Sequence, residues 1–141
     1  MIESLVIVCL GLSGFFLALY LRWKKAHKSE VFVCPLRGNC TEVIHSDYAH
    51  FLGMPVELIG TMYYLLIAIA YASRVLFPSQ TISLAAPLLL VSTLAMLFSA
   101  YLTFIQVVMI RKLCTWCLLS AVFCLCIFLL SVQIAPTLWQ S

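Results

Sequence analysis

Cys114-Thr115-Trp116-Cys117 is the stretch with the clearest chemical capacity, two thiols at the head of a long apolar run that reaches about Pro136. Side chains at i and i+3 lie on one face of a helix, a turn apart, so the two sulfurs can close a disulfide or stand as two thiols. Amide dipoles in the first turn of a helix favour a thiolate. Arg111 and Lys112 act in the same direction from just upstream, which points to Cys114 as the low-pKa member, with Cys117 deeper. A dithiol held between water and hydrocarbon suits the passing of electrons from a water-soluble thiol to a lipid-soluble acceptor.

A second pair sits in Cys34-Pro35-Leu36-Arg37-Gly38-Asn39-Cys40. Pro and Gly between the cysteines predict a turn that brings the sulfurs together. Asn39 can cap a short helix with Glu42 at its third position, which places Cys40 in the first turn and gives it thiolate character too. The remaining cysteines, Cys9, Cys124 and Cys126, lie inside apolar runs and read as small buried hydrophobes.

The elements that must position these thiols are membrane spans. Of the 141 residues, 65% are hydrophobic and only 9% are charged, and the mean hydropathy is +1.13, far from the soluble norm of about half apolar and a quarter charged. Four stretches can cross a hydrocarbon core of about 30 Å, residues 4–21, 55–77, 82–110 and 113–135. Backbone groups in lipid must be satisfied within their own segment, so the expected fold is all-α, a single-domain bundle of four transmembrane helices covering residues 1–141. No cleavable signal peptide is expected, because Glu3 and no Lys or Arg precedes the first apolar run. A net charge of +3, with the cations beside the spans, is no nucleic-acid signal.

Taken in order, the first span carries the small residues Gly11, Ser13 and Gly14 and ends in Arg22-Trp23-Lys24-Lys25, an interfacial anchor. The loop 29–50 holds the first cysteine pair, and an apolar stripe of Ile44, Tyr48, Phe51 and Leu52 predicts a short lid helix across the end of the bundle. Gly53-Met54-Pro55 should break that helix and open span two. Glu57, near the start of span two, reads as an interfacial carboxylate or a hydrogen-bonding group for a ligand. Tyr63, Tyr64 and Tyr71 read chiefly as packing residues, and Gln106 either bonds a neighbouring helix or lines a pocket. Arg111 and Lys112 leave so short a connection that spans three and four are antiparallel neighbours. Span parity then brings both cysteine pairs to one membrane face.

Four cysteines on one face admit three readings. They can form a tetrahedral zinc shell, a structural cross-link, or a relay in which the loop pair exchanges disulfides with an outside protein and then with the pair at the helix mouth. The helix-borne pair argues against zinc, and no metal is expected.

Several residues together resemble the vitamin K epoxide reductase family, in its prokaryotic single-domain four-helix form. They are Cys34/Cys40, Ser46-Asp47-Tyr48-Ala49, Gly53-Met54-Pro55, Gly60 with Tyr63, and Cys114-Thr115-Trp116-Cys117. The resemblance implies that Cys114 and Cys117 are the active-site pair, with Cys117 facing a quinone. It makes Cys34 and Cys40 the shuttle pair, with Cys34 meeting the partner and Cys40 exchanging with Cys114. Ser46 and Tyr48 would belong to the lid over the quinone, and Ile59, Tyr63 and Gln106 would line its pocket. The implied cofactor is menaquinone, ubiquinone or a related quinone, and the implied electron donor is a separate thioredoxin-fold protein. Vertebrate relatives hold the quinone oxygens with an Asn in span two and a Tyr one turn after the second cysteine. Val56 and Ala121 stand there in this chain, which favours disulfide generation coupled to quinone reduction over epoxide reduction.

A rival reading from another class is a small four-helix multidrug transporter that uses Glu57 as its proton-coupled carboxylate. Such a protein needs none of the paired cysteines. Orientation is set by charge: Arg22, Lys24, Lys25, Lys28, Arg37, Arg111 and Lys112 flank the cysteine face, against Arg74 alone on the other. The positive-inside rule favours the cytoplasmic side for the cysteines. The family's usual placement, toward the periplasm or its equivalent, is the alternative.

Overall fold

The computed structural model describes residues 2–26, 50–80, 85–111 and 115–139. Four helices account for most of this chain: α1 (Ile2–Ala26), α2 (Val56–Leu76), α3 (Ala85–Phe104) and α4 (Thr115–Trp139). All four are long and apolar enough to cross a membrane, and they fall on the four expected spans. α1 runs beyond Leu21, so the basic anchor Arg22-Trp23-Lys24 is helical. A single 3₁₀ turn, Pro78–Gln80, follows α2.

Ahead of α2 the chain forms a small antiparallel hairpin, β1 (His50–Phe51) and β2 (Met54–Pro55), with Phe51 opposite Met54. Leu52 and Gly53 make its two-residue turn with φ of 52° and 82°. Tight hairpins of this kind need positive φ at both central residues, which glycine supplies freely and leucine only at a cost. This corrects one expectation: the apolar stripe does not continue as helix through Phe51 and Leu52, because two successive positive φ values are incompatible with a right-handed helix. The remainder of the expected lid helix, including Ile44 and Tyr48, lies outside the described residues. Pro55 then leads into α2 with φ −64° and ψ 137°, extended in ψ while its ring already holds a helical φ.

Packing is uneven around the bundle. α1 lies closely along α2, α3 lies along α4, and α1 also meets α4, whereas α2 and α3 scarcely touch. Small residues allow the first of these contacts. Gly11 leaves room for the Ala68 backbone and side chain, and the space a side chain would need at Gly14 is filled by the Tyr64 ring. Ile7, Tyr64, Ile67 and Ile127 are the most deeply buried large side chains, at the junction of α1, α2 and α4. Two tyrosine hydroxyls tie α2 to α4: Tyr64 donates to the Ser120 carbonyl at 2.8 Å, and Tyr71 lies 2.9 Å from the Ser131 hydroxyl.

α3 does not end as it began. Over Ile105–Ile110 it widens into a π-helical turn, closed by the Arg111 N–H donating to the Gln106 carbonyl, with Arg111 itself left-handed at φ 57°. The wider turn places two successive residues inward, Ile105 and Gln106, each 5% exposed, while Val107, Val108 and Met109 face outward. Such turns recur at functional sites because they re-aim a side chain without breaking the helix.

Candidate active site

The sparse contact between α2 and α3 leaves a cavity of about 360 Å³ that α4 backs and the C-terminal half of α1 closes with Ala18 and Leu21. From α2 come Val56, Glu57, Ile59, Gly60, Tyr63 and Tyr64. The C-terminal half of α3 contributes Gln106, aimed inward by the π turn. α4 presents Cys117, Ser120 and Cys124, at i, i+3 and i+7, so they run along one face of the helix over about 10 Å. The N-terminal turns of α2 and α4 and the C-terminal turn of α3 thus meet around one chamber, as span parity requires.

Cys117, Glu57, Ile59, Tyr63 and Gln106 all line the cavity. Cys34, Cys40, Ser46, Tyr48 and Cys114 lie outside the described residues. Cys117 lies near the N-terminal end of the described part of α4. Glu57 belongs to the first turn of α2, where a carboxylate complements the helix dipole.

Lining residues outside the expected set include Tyr64, Ser120 and Cys124. Tyr64, read as a packing residue, is 1% exposed, yet its hydroxyl reaches the inner face of α4. There it meets the Ser120 hydroxyl at 2.8 Å and the Cys124 sulfur at 3.3 Å. Of the three cysteines expected to be buried, only Cys124 is, at 6% exposure, while Cys126 is half-buried and Cys9 lies on the outer face of α1; Cys124 belongs to the cavity wall and to a polar cluster. The available signal was the Cys117, Ser120, Cys124 spacing, which marks one helical face once Cys117 is taken to face inward.

Deeper between α2 and α3, the buried hydroxyls of Tyr63 and Ser92 lie beside each other without a well-formed hydrogen bond to any described residue. A polar group left unmet in an apolar interior costs free energy, so hydroxyls of this kind are ready donors to a bound acceptor atom.

The model of the Vitamin K epoxide reductase family matches residues 5–132, from the start of the first span to near the end of the last. The chain belongs to that family. No curated protein matches it. As a member of the vitamin K epoxide reductase family it is an oxidoreductase of the membrane, in a family whose chemistry links disulfides to quinones.

The residues present suit a quinone. Such a ring needs flat apolar walls and one or two hydrogen-bond donors for its oxygens, in a chamber of a few hundred cubic ångströms. Val56, Ile59, Leu94 and Phe98 supply the walls, and the Tyr63 hydroxyl and the Gln106 amide supply candidate donors. Val56 is itself in the wall and adds an apolar side chain to it.

Proposed function

We propose that the protein is a quinone-dependent thiol–disulfide oxidoreductase that generates disulfides in a separate thioredoxin-fold partner and passes the electrons through two cysteine pairs to a membrane quinone. One observation carries the reading: Cys117 stands in the wall of an apolar intramembrane cavity together with Glu57, Tyr63 and Gln106. Family membership supports it, and the C-x-x-C spacing supplies the chemistry.

A reduced partner dithiol attacks the disulfide between Cys34 and Cys40 and leaves oxidised. The two thiols so formed reduce the Cys114–Cys117 disulfide by a second exchange, in which one S–S bond forms as another breaks. A bound quinone supplies an acceptor for two electrons and two protons. Cys117 presents its sulfur to the cavity, and closure of its bond to Cys114 releases those electrons and protons and restores the starting disulfide. Tyr63 and Gln106 orient the ring through its oxygens, and the apolar walls keep water from the reacting sulfur. Ser46 and Tyr48 contribute to the lid. The charge bias supports a cysteine face turned toward the cytoplasm.

The test is quinone reduction by the purified full chain in detergent, driven by a reduced thioredoxin-fold protein or by a small dithiol. Cys117→Ala should fall to background with either donor. Cys34→Ala should fail with the protein donor and keep turnover with the small one. Quinone-dependent turnover that survives Cys117→Ala would refute the assignment.

A further inference from the structure

Three glycines lie within the described helices, Gly11 and Gly14 in α1 and Gly60 in α2. Glycine weakens a helix interior relative to alanine, so each asks for a compensating reason. Packing supplies it for the first two, which make room for Ala68 and for the Tyr64 ring. Gly60 differs, because a Cβ placed there would meet no described atom within 4 Å. The space left by its missing side chain belongs to the cavity. Val56 and Glu57 lie one turn before it and Tyr63 and Tyr64 one turn after, all on the cavity wall, so Gly60 is the floor of a notch between two bulkier turns.

The height of the notch follows from the bonds between α2 and α4. Tyr64 reaches Ser120 at 2.8 Å, and Tyr71 reaches Ser131 further along both helices, so the two run in the same direction. One turn back from the first of these bonds stand Gly60 on α2 and Cys117 on α4, at about the same level. Tyr63 borders the notch, and the Ser92 hydroxyl, 0% exposed, lies beside that of Tyr63; neither has a well-formed hydrogen bond among the described residues. Buried hydroxyls left unmet suit a ligand that carries acceptor atoms. We propose that the quinone ring seats in this notch, with a flat face against the α2 backbone at Gly60, level with Cys117 and bordered by Tyr63. The inference rests on the reading of the cavity as a quinone site. Any side chain in place of Gly60 would occupy the room of the ring, which makes this glycine a determinant of what the cavity admits.

The experiment is calorimetric titration of a tailless naphthoquinone into the purified full chain in detergent, with protein-free micelles as the blank. The probe carries methyl groups at both free carbons of its quinone ring, so no thiol can add to it. Gly60→Ala should weaken its binding about tenfold, because a methyl group forced against a flat face overpacks the notch. The same substitution should move the unfolding equilibrium about twofold to fivefold toward the folded chain, as glycine to alanine does in a helix. Binding and stability thus change in opposite directions, which a residue that served only to pack the helices would not do. Gly60→Leu should abolish binding, and Gly11→Ala, the same change outside the cavity, should leave it as in the parent. Parent-like binding in Gly60→Ala, an equal loss in Gly11→Ala, or a loss of stability together with binding overturns the proposal. Should Gly60→Leu fail to fold, Gly60→Ala decides alone. A parent chain that binds no quinone would instead overturn the quinone reading, and this inference with it.

Discussion

A methyl group added at Gly14 asks how α1 shapes the cavity wall. Its Cβ would collide with the Cε1, Cδ1 and Cζ atoms of the Tyr64 ring. The ring has little freedom to retreat, being 1% exposed and held through its hydroxyl by Ser120 at 2.8 Å and by the Cys124 sulfur at 3.3 Å. Overpacking a tight interior costs about 1–3 kcal/mol, and drawing the hydroxyl off its partners adds about 1 kcal/mol. Replacing glycine by alanine in a helix returns about 0.5–1 kcal/mol, so Gly14→Ala should lose about 1–3 kcal/mol net. Equilibrium unfolding in mixed detergent micelles measures it. Gly11→Ala is the internal control, since its methyl would meet Ala68 at an ordinary 3.4 Å, and it should change stability by less than about 1 kcal/mol. Combining Gly14→Ala with Tyr64→Leu isolates the cause. With the ring gone the methyl has space, and the two substitutions should show a coupling of at least about 1 kcal/mol. Because Tyr64 lines the cavity, Gly14→Ala should also raise KM for the quinone. Parent-like stability, or a cost that persists unchanged in the Tyr64→Leu background, would refute the steric account.

Tyr63→Phe removes a hydroxyl that lacks a well-formed bond among the described residues, so folding stability should hold while KM for the quinone rises roughly fivefold to tenfold, the worth of about one hydrogen bond; an unchanged KM would show that Tyr63 does not hold the ring. Glu57→Gln should leave most quinone reduction intact, and replacing the four paired cysteines should abolish it. A transporter would show the reverse ordering in a cation-uptake assay. For orientation, a membrane-impermeant thiol reagent applied to intact cells after reduction should leave Cys34 unlabelled, and labelling there would place the cysteine face outside.

Much of the site was legible because its chemistry is local. Two cysteines three residues apart at the edge of an apolar run suggest a redox pair, and Cys117, the member within the described residues, lines the cavity. Glu57, Ile59, Tyr63 and Gln106 were reached through resemblance and through the oddity of polar groups in spans, and all of them line the cavity. Phe51 and Leu52 show the opposite case. Their place in an apolar stripe suggested helix, but Gly53 permits a two-residue turn, and that local backbone freedom prevailed over periodicity.

Composition alone determined that this chain is a bundle of four membrane helices, because lipid cannot satisfy backbone hydrogen bonds and every long apolar segment must coil on itself. Parity alone brought the two cysteine-bearing connections to one side. What composition could not convey was the rotation of each helix about its axis. In water a helix declares its inner face by its apolar stripe, but a span bathed in lipid is apolar all round and carries little of that signal. Only the packed structure shows that Gly14 admits the Tyr64 ring, that Cys124 joins Cys117 on one wall, and that a π turn directs Gln106 inward. Those outcomes follow from how closely particular pairs of helices approach, a property of the whole bundle that no single segment contains.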